Sequence, residues 1–150
     1  MSDGSALRER LVGAWRLVSY RSRDITSGIV SYPMGENATG WILYTPDGYM
    51  SAQIQAETPA PDYAVGDPHG GTDHEATAAA RAYLAYSGPY QVTADDLLTH
   101  HMDVSLFPNW LGQTQIRTVE LTGRRLQLRP VDAVIIDGSR QLPEIVWERA

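Results

Sequence analysis

The sequence contains no cysteine, which removes disulfides, thiolate nucleophiles and cysteine metal sites together. It has a single phenylalanine against eight tyrosines and four tryptophans, a skew that suits walls which are apolar yet carry polar tips. No apolar run approaches the roughly 20 residues of a membrane span. No run of basic residues stands out within a net charge of -6, made of 12 Lys+Arg against 18 Asp+Glu. Neither membrane nor nucleic acid is therefore expected as a partner. There is no internal repeat and no Gly-x-Ser-x-Gly at a strand-to-helix turn, and Gly66, Gly70 and Gly71 fit neither a dinucleotide nor a phosphate-loop pattern. Met1-Ser-Asp-Gly-Ser5 leads into a charged segment without an apolar signal core, so a reduced, cytoplasmic protein is expected. A chain of 150 residues suits one domain over 1–150.

What is present is organised around Thr99-His-His-Met-Asp-Val-Ser-Leu-Phe-Pro-Asn-Trp-Leu-Gly112. Between Leu98 and Leu106 the alternate set Leu98, His100, Met102, Val104 and Leu106 is apolar apart from one histidine, while Thr99, His101, Asp103 and Ser105 are polar. Period two predicts a half-buried strand over 98–107. It carries His100 inward among Leu, Met and Val, and leaves His101 and Asp103 outside.

Along the chain, Leu7 and Leu11 at i, i+4 predict a short helical lead-in that ends at Gly13. A first strand over 14–23 follows, with Trp15, Leu17 and Ser19 on one face, then a short strand over 29–32. Trp41 to Thr45, Pro46-Asp-Gly48 and Tyr49 to Gln55 form the clearest hairpin. The turn residues supply a preset φ, a side-chain acceptor and a left-handed position in order, which pairs Tyr44 with Met50 and Ile42 with Ala52 on the inward side. Residues 57–71 read as a long loop with the composition of a lid. Thr72-Asp-His-Glu75 is a capping box, and Ala76, Ala79, Ala80, Tyr83 and Leu84 extend a helical stripe up to Ser87-Gly-Pro89. Strands resume at 90–93, and Gln113 to Leu121 pairs with Arg125 to Arg129 around Thr122-Gly123. Val131 to Ile136 and Glu144 to Arg149 make the last pair. This is an all-β fold: a single antiparallel barrel of eight to nine strands with one helix inserted, of a size that admits side chains or one small ligand.

Gly13-Ala-Trp-Arg-Leu-Val-Ser-Tyr20, Tyr44-Thr-Pro-Asp-Gly-Tyr-Met-Ser51, Tyr83-Leu-Ala-Tyr-Ser-Gly88, His100-His101, Phe107-Pro-Asn-Trp-Leu-Gly112 and Val146-Trp-Glu-Arg149 resemble the bacterial and fungal lipocalin-like domain family. Gly13-Ala-Trp15 resembles the Gly-x-Trp step of lipocalins, and Arg149 the last-strand arginine laid across that tryptophan. The resemblance implies a small barrel with an internal cavity and implies no reaction. Some lipocalin-like barrels of natural-product pathways are cyclases, so an enzyme stays open.

His100 and His101 point to opposite faces of a strand and cannot chelate one ion. No metal site is expected, since His69 and His74 lie in a lid-like segment where a third ligand would be accidental, and no cofactor either. His100 is either a structural histidine or a ligand contact with acid–base capacity, and it is the one catalytic candidate. The ligand-binding set comprises Ile42, Tyr44, Met50, Tyr86, His100, Met102, Asn109, Trp110, Gln115 and Arg117. Tyr86 stands there as a rim residue on the helix, and Asn109 and Trp110 as a rim loop or an aromatic plug. Arg117 shares the apolar face of its hairpin, where it either bonds carbonyls or stacks on a ring, or else anchors a ligand oxygen. The expected function is binding one small, largely apolar molecule, with natural-product biosynthesis as the setting. The alternative is a cofactor-independent cyclase or isomerase acting on a polyketide-like substrate. An outer barrel face offers a route to a homodimer. The cavity is expected to open near the 57–72 loop and the 107–112 turn.

Overall fold

The computed structural model describes residues 4–150. In chain order it comprises α1 (Ser5–Leu11), β1 (Gly13–Asp24), β2 (Val30–Ser31), β3 (Thr39–Tyr44), β4 (Tyr49–Gln55), α2 (Asp73–Arg81) and β5 (Tyr83–Ala94). The second half holds β6 (Leu97–His101), β7 (Val104–Ser105), β8 (Thr114–Thr122), β9 (Arg125–Pro130), β10 (Val134–Ile136) and β11 (Ser139–Arg149). The path β1-β3-β4-β5-β6-β8-β9-β11 is antiparallel throughout, and β11 pairs back onto β1. Closure removes the free edges that an open sheet would leave to water. The short strands β2, β7 and β10 attach to β1, β5 and β11. Among the described residues no helix is long and apolar enough to cross a membrane.

One barrel end is sealed. Helix α1 buries Leu7 and Leu11 there, the Trp15 indole donates to the Leu11 carbonyl at 2.8 Å, and the Arg149 guanidinium lies 3.9 Å over the Trp15 ring. Arg149 also donates to the carbonyls of Val12, at 2.8 Å, and Arg10. Gly13 has φ 126°, and a Cβ on it would meet Arg149 Nη1 at 2.7 Å. Glycine is thus required both by the backbone angle and by the arginine's approach.

The β3–β4 hairpin has the expected register, Ile42 opposite Ala52 and Tyr44 opposite Met50. The Thr72 capping box forms, with Glu75 N–H donating to Thr72 Oγ1 and Thr72 N–H to Glu75 Oε1.

Several expectations change. A bulge between Leu17 and Ser19 flips the inward set of β1, so Trp15 and Leu17 are buried before it and Tyr20 and Ser22 after it, and Ser19 leaves their face. The strand through His100 ends at His101. Met102 is still buried, but Val104 is 60 % exposed, because the chain turns at Asp103 to pair Val104 and Ser105 with β5. Tyr83, Leu84 and Tyr86 are not helical: α2 stops at Arg81, and β5 runs unbroken from Tyr83 through Gly88 and Pro89 to Ala94. Pairing with β4 along one edge from Tyr83 to Pro89, and with β7 at Tyr86 and Ser87 on the other, overrides the helical spacing. The β8–β9 turn is Gly123-Arg124, pairing Thr122 with Arg125 and Val119 with Leu128. That register slips by two positions from the one built on Thr122-Gly123, and a slip of two leaves every side chain on its own face.

Candidate functional site

At the end opposite α1 the barrel encloses a cavity of about 340 Å³, at the small end of the size range of ligand pockets. Its floor consists of the fully buried Ala52, Ile54 and Trp147, and its walls of Leu84, Leu128, Pro130, Pro143 and Ile145. Val134, Ile135 and Ile136 of β10 form one lip, with Ile135 68 % exposed. Trp110 forms the other lip, packed edge-on against Tyr86 and Phe107 at ring separations of 5.7 and 4.8 Å. No residue of the 57–72 loop lines the cavity. That segment lies instead against α2, where Ala64 N–H donates to Glu75 Oε2. Edge strand β10 therefore takes the place expected of the loop at the mouth.

The polar lining groups come from three strands: Tyr20 from β1, Tyr86 from β5, and Gln115 and Arg117 from β8, with Gln113 just before β8. Inward alternation along β8 brings Gln115, Arg117 and Val119 to the same face. Arg117 is half-buried and is the one charged residue among the described residues lining the cavity. It donates to Gln115 Oε1, and its positive charge near the Tyr86 hydroxyl works against the rise that burial gives that phenol. Burial, with a smaller push from Tyr86, raises the Tyr20 phenol to about 12, and burial also raises Tyr86. Both remain neutral phenols at physiological pH.

Behind Tyr86 sits His100, fully buried. Its Nδ1 is 3.3 Å from the Tyr86 hydroxyl and its Nε2 is 2.8 Å from the Tyr44 hydroxyl. Burial, reinforced by the positive charge of Arg117, holds its pKa well below the ordinary imidazole value, so the ring is neutral and donates from one nitrogen while accepting at the other. His100 does not line the cavity. His101 is outside the barrel, with Nδ1 2.8 Å from Thr114 Oγ1 and Nε2 3.5 Å from Asp103 Oδ1.

Of the residues expected to touch a ligand, Tyr86, Trp110, Gln115 and Arg117 line the cavity. Ile42, Tyr44, Met50 and Met102 point inward as expected, but they are packed in the core and do not line the cavity. The reason is axial position, since Tyr44 and Met50 flank the β3–β4 turn at the α1 end. Asn109 is exposed, and only its backbone carbonyl takes part, accepting from Gln113 Nε2 at 2.9 Å. Tyr20, Trp147, Ile145 and the β10 residues were not anticipated. Tyr20 is hidden in the sequence by the bulge, and Trp147 could have been found by its alternation with Ile145 along β11.

Residues 12–150 match the lipocalin-like domain family. The chain is 34% identical, over 107 residues, to a 4'-hydroxy-3'-methoxypropiophenone carrier protein of Aspergillus oryzae, an alignment that covers 67% of this chain and 96% of that protein. With the closed barrel, the Gly13–Trp15–Arg149 seal and a match across nearly its whole length, the chain belongs to the lipocalin-like domain family.

Proposed function

We propose that this protein is a cytoplasmic carrier, working without metal or cofactor, that holds one small aromatic ketone or a related polyketide-like molecule of natural-product metabolism. The observation that carries the reading is a small, apolar-walled cavity with a single cation, Arg117, on one side. An arginine half-withdrawn from water, with no carboxylate partner among the described residues, favours a ligand oxygen, and the apolar walls favour a ring and a short alkyl chain. The fungal relative is named for carrying such a ketone. A cyclase or isomerase would need an acid or base touching the substrate. His100 is screened from the cavity by Tyr86, so the arrangement favours holding over converting.

Titration with 4'-hydroxy-3'-methoxypropiophenone tests this. Wild type should bind one molecule per chain. Arg117→Met should lose about ten-fold or more, equivalent to about 1.4 kcal/mol, with a nearly unchanged melting temperature. Unaffected binding together with a large drop in melting temperature would make the arginine a purely structural group.

A further inference from the structure

The directions of the hydrogen bonds around Arg117 determine what kind of oxygen the cavity accepts. A guanidinium can only donate, so Gln115 must present its amide oxygen to Arg117. That leaves the Gln115 amide nitrogen to donate to Gln113 Oε1 at 3.3 Å, and the Gln113 nitrogen to donate to the Asn109 carbonyl. The chain is fixed at both ends, by a group that only donates and a carbonyl that only accepts. Each amide oxygen facing the cavity therefore already accepts one hydrogen bond, and the pole offers more donors than free acceptors.

The tyrosine pair extends the pattern. Among the described residues the buried Tyr44 hydroxyl has no hydrogen-bond partner besides His100 Nε2. If it accepted there, its own proton would be orphaned in the core, so Tyr44 donates to Nε2. His100 then carries its proton on Nδ1 and donates to the Tyr86 oxygen, near which the Arg117 charge also lies. The Tyr86 hydroxyl proton is left for the cavity. On the floor, Trp147 Nε1–H is buried with no hydrogen-bond partner among the described residues.

We infer that this donor-rich pole binds its ligand with an acidic hydroxyl ionised, as the phenolate or enolate of a small carbonyl compound. The inference rests on the small-ketone reading above and specifies the form in which the ligand is held. A neutral phenol would bring one more proton to a wall already richer in donors than in free acceptors, whereas an anionic oxygen accepts from Arg117, Tyr86 and the remaining Gln115 N–H. On binding, the ligand O–H bond breaks, its electron pair stays on oxygen and the proton leaves to the buffer. The titratable groups facing the pole are Tyr20 on β1, Tyr44 on β3, Tyr86 on β5 and His100 on β6. The carboxylate that acts on Tyr20 is Asp137, in the β10–β11 turn and outside the cavity lining. None of the four carries charge at neutral pH, so Arg117 alone sets the sign.

The test uses 4'-hydroxy-3'-methoxypropiophenone and its 4'-methyl ether, which cannot ionise, at a pH where the free phenol is mostly neutral. The bound phenol should show the longer-wavelength absorption of its phenolate, and its affinity advantage over the ether should grow roughly ten-fold per pH unit up to the phenol's own pKa. Gln115→Glu, which gives Arg117 a resident carboxylate, should abolish the phenolate band while the melting temperature confirms folding. A bound phenol with a neutral spectrum, or a band that survives Gln115→Glu, would overturn the ionised-ligand inference and leave the carrier reading intact. Failure of both ketones to bind would reject the small-ketone reading and this inference with it.

Discussion

Gly88→Ala is expected to destabilise the fold by at least about 2–3 kcal/mol, a fall of roughly 4–12 °C in melting temperature for a domain of this size. Gly88 sits in the middle of β5, opposite Met50. A Cβ there would come within 1.9 Å of the His101 carbonyl oxygen and 2.9 Å of the Asp103 nitrogen. Both are backbone atoms and cannot rotate away. Asp103 N–H also donates to the Ser87 carbonyl at 3.0 Å, so the methyl group would pry apart the contact that turns the chain from β6 into β7. Glycine in a strand interior ordinarily weakens it, and one retained there marks a close backbone approach. A melting temperature within a degree or two of wild type would mean that β5 and the 101–103 turn are not in this contact.

His100 should make stability depend on pH with a definite sign. Its folded pKa is depressed by burial and by Arg117, so below about 6.5, the ordinary imidazole value, the unfolded chain binds a proton that the folded barrel refuses. More protons on the unfolded state means that stability rises with pH. The full contribution is present above 6.5 and is lost on acidification towards the folded pKa, at up to about 1.4 kcal/mol per pH unit. Thermal melts from pH 7.5 to 5 should show that loss in wild type, and a shallower one in His100→Gln. Parallel curves would mean that the imidazole is solvated or charged in the fold. From sequence, His100→Phe looks tolerable, because the neighbours of His100 are apolar. The structure replaces that view: phenylalanine would orphan the Tyr44 hydroxyl and take one partner from Tyr86, at a cost of about 1–3 kcal/mol for a buried unsatisfied group.

Alternation along the strands reveals which face of each strand looks inward, and that much was legible. Ile42, Tyr44, Met50, Met102 and Arg117 all point into the barrel. Alternation carries no information about height along the barrel axis. Height is set by α1, Trp15 and Arg149, which seal one end and so turn Tyr44 and Met50 into core while Arg117 and Tyr86 become wall. The β3–β4 hairpin was legible to the residue because Pro46-Asp47-Gly48 fixes the turn chemically. The β8–β9 register was not, yet its error of two positions cost nothing at Arg117. Two features needed the tertiary structure. The bulge at Leu17–Ser19 shifts the face of β1 without any proline or glycine to announce it, and with it the placement of Tyr20. The start of β5 continues the helical spacing of α2 through Tyr83 and Leu84, and only its pairing with β4 and β7 decides against a helix.

The four tryptophan side chains make the placement of the ligand directly readable. Trp147 lies on the cavity floor with its indole N–H unpartnered among the described residues, Trp110 stands at the lip, Trp15 is bonded to Leu11 at the sealed end, and Trp41 is on the outer surface with Arg16 over its ring. In nitrogen-15 NMR spectra of the labelled protein, adding 4'-hydroxy-3'-methoxypropiophenone should move the Trp147 indole and Arg117 side-chain signals strongly, and Trp110 less, while leaving Trp15 in place. Shifts confined to Trp41 and other surface residues, or no shift at saturating ketone, would contradict binding inside the barrel.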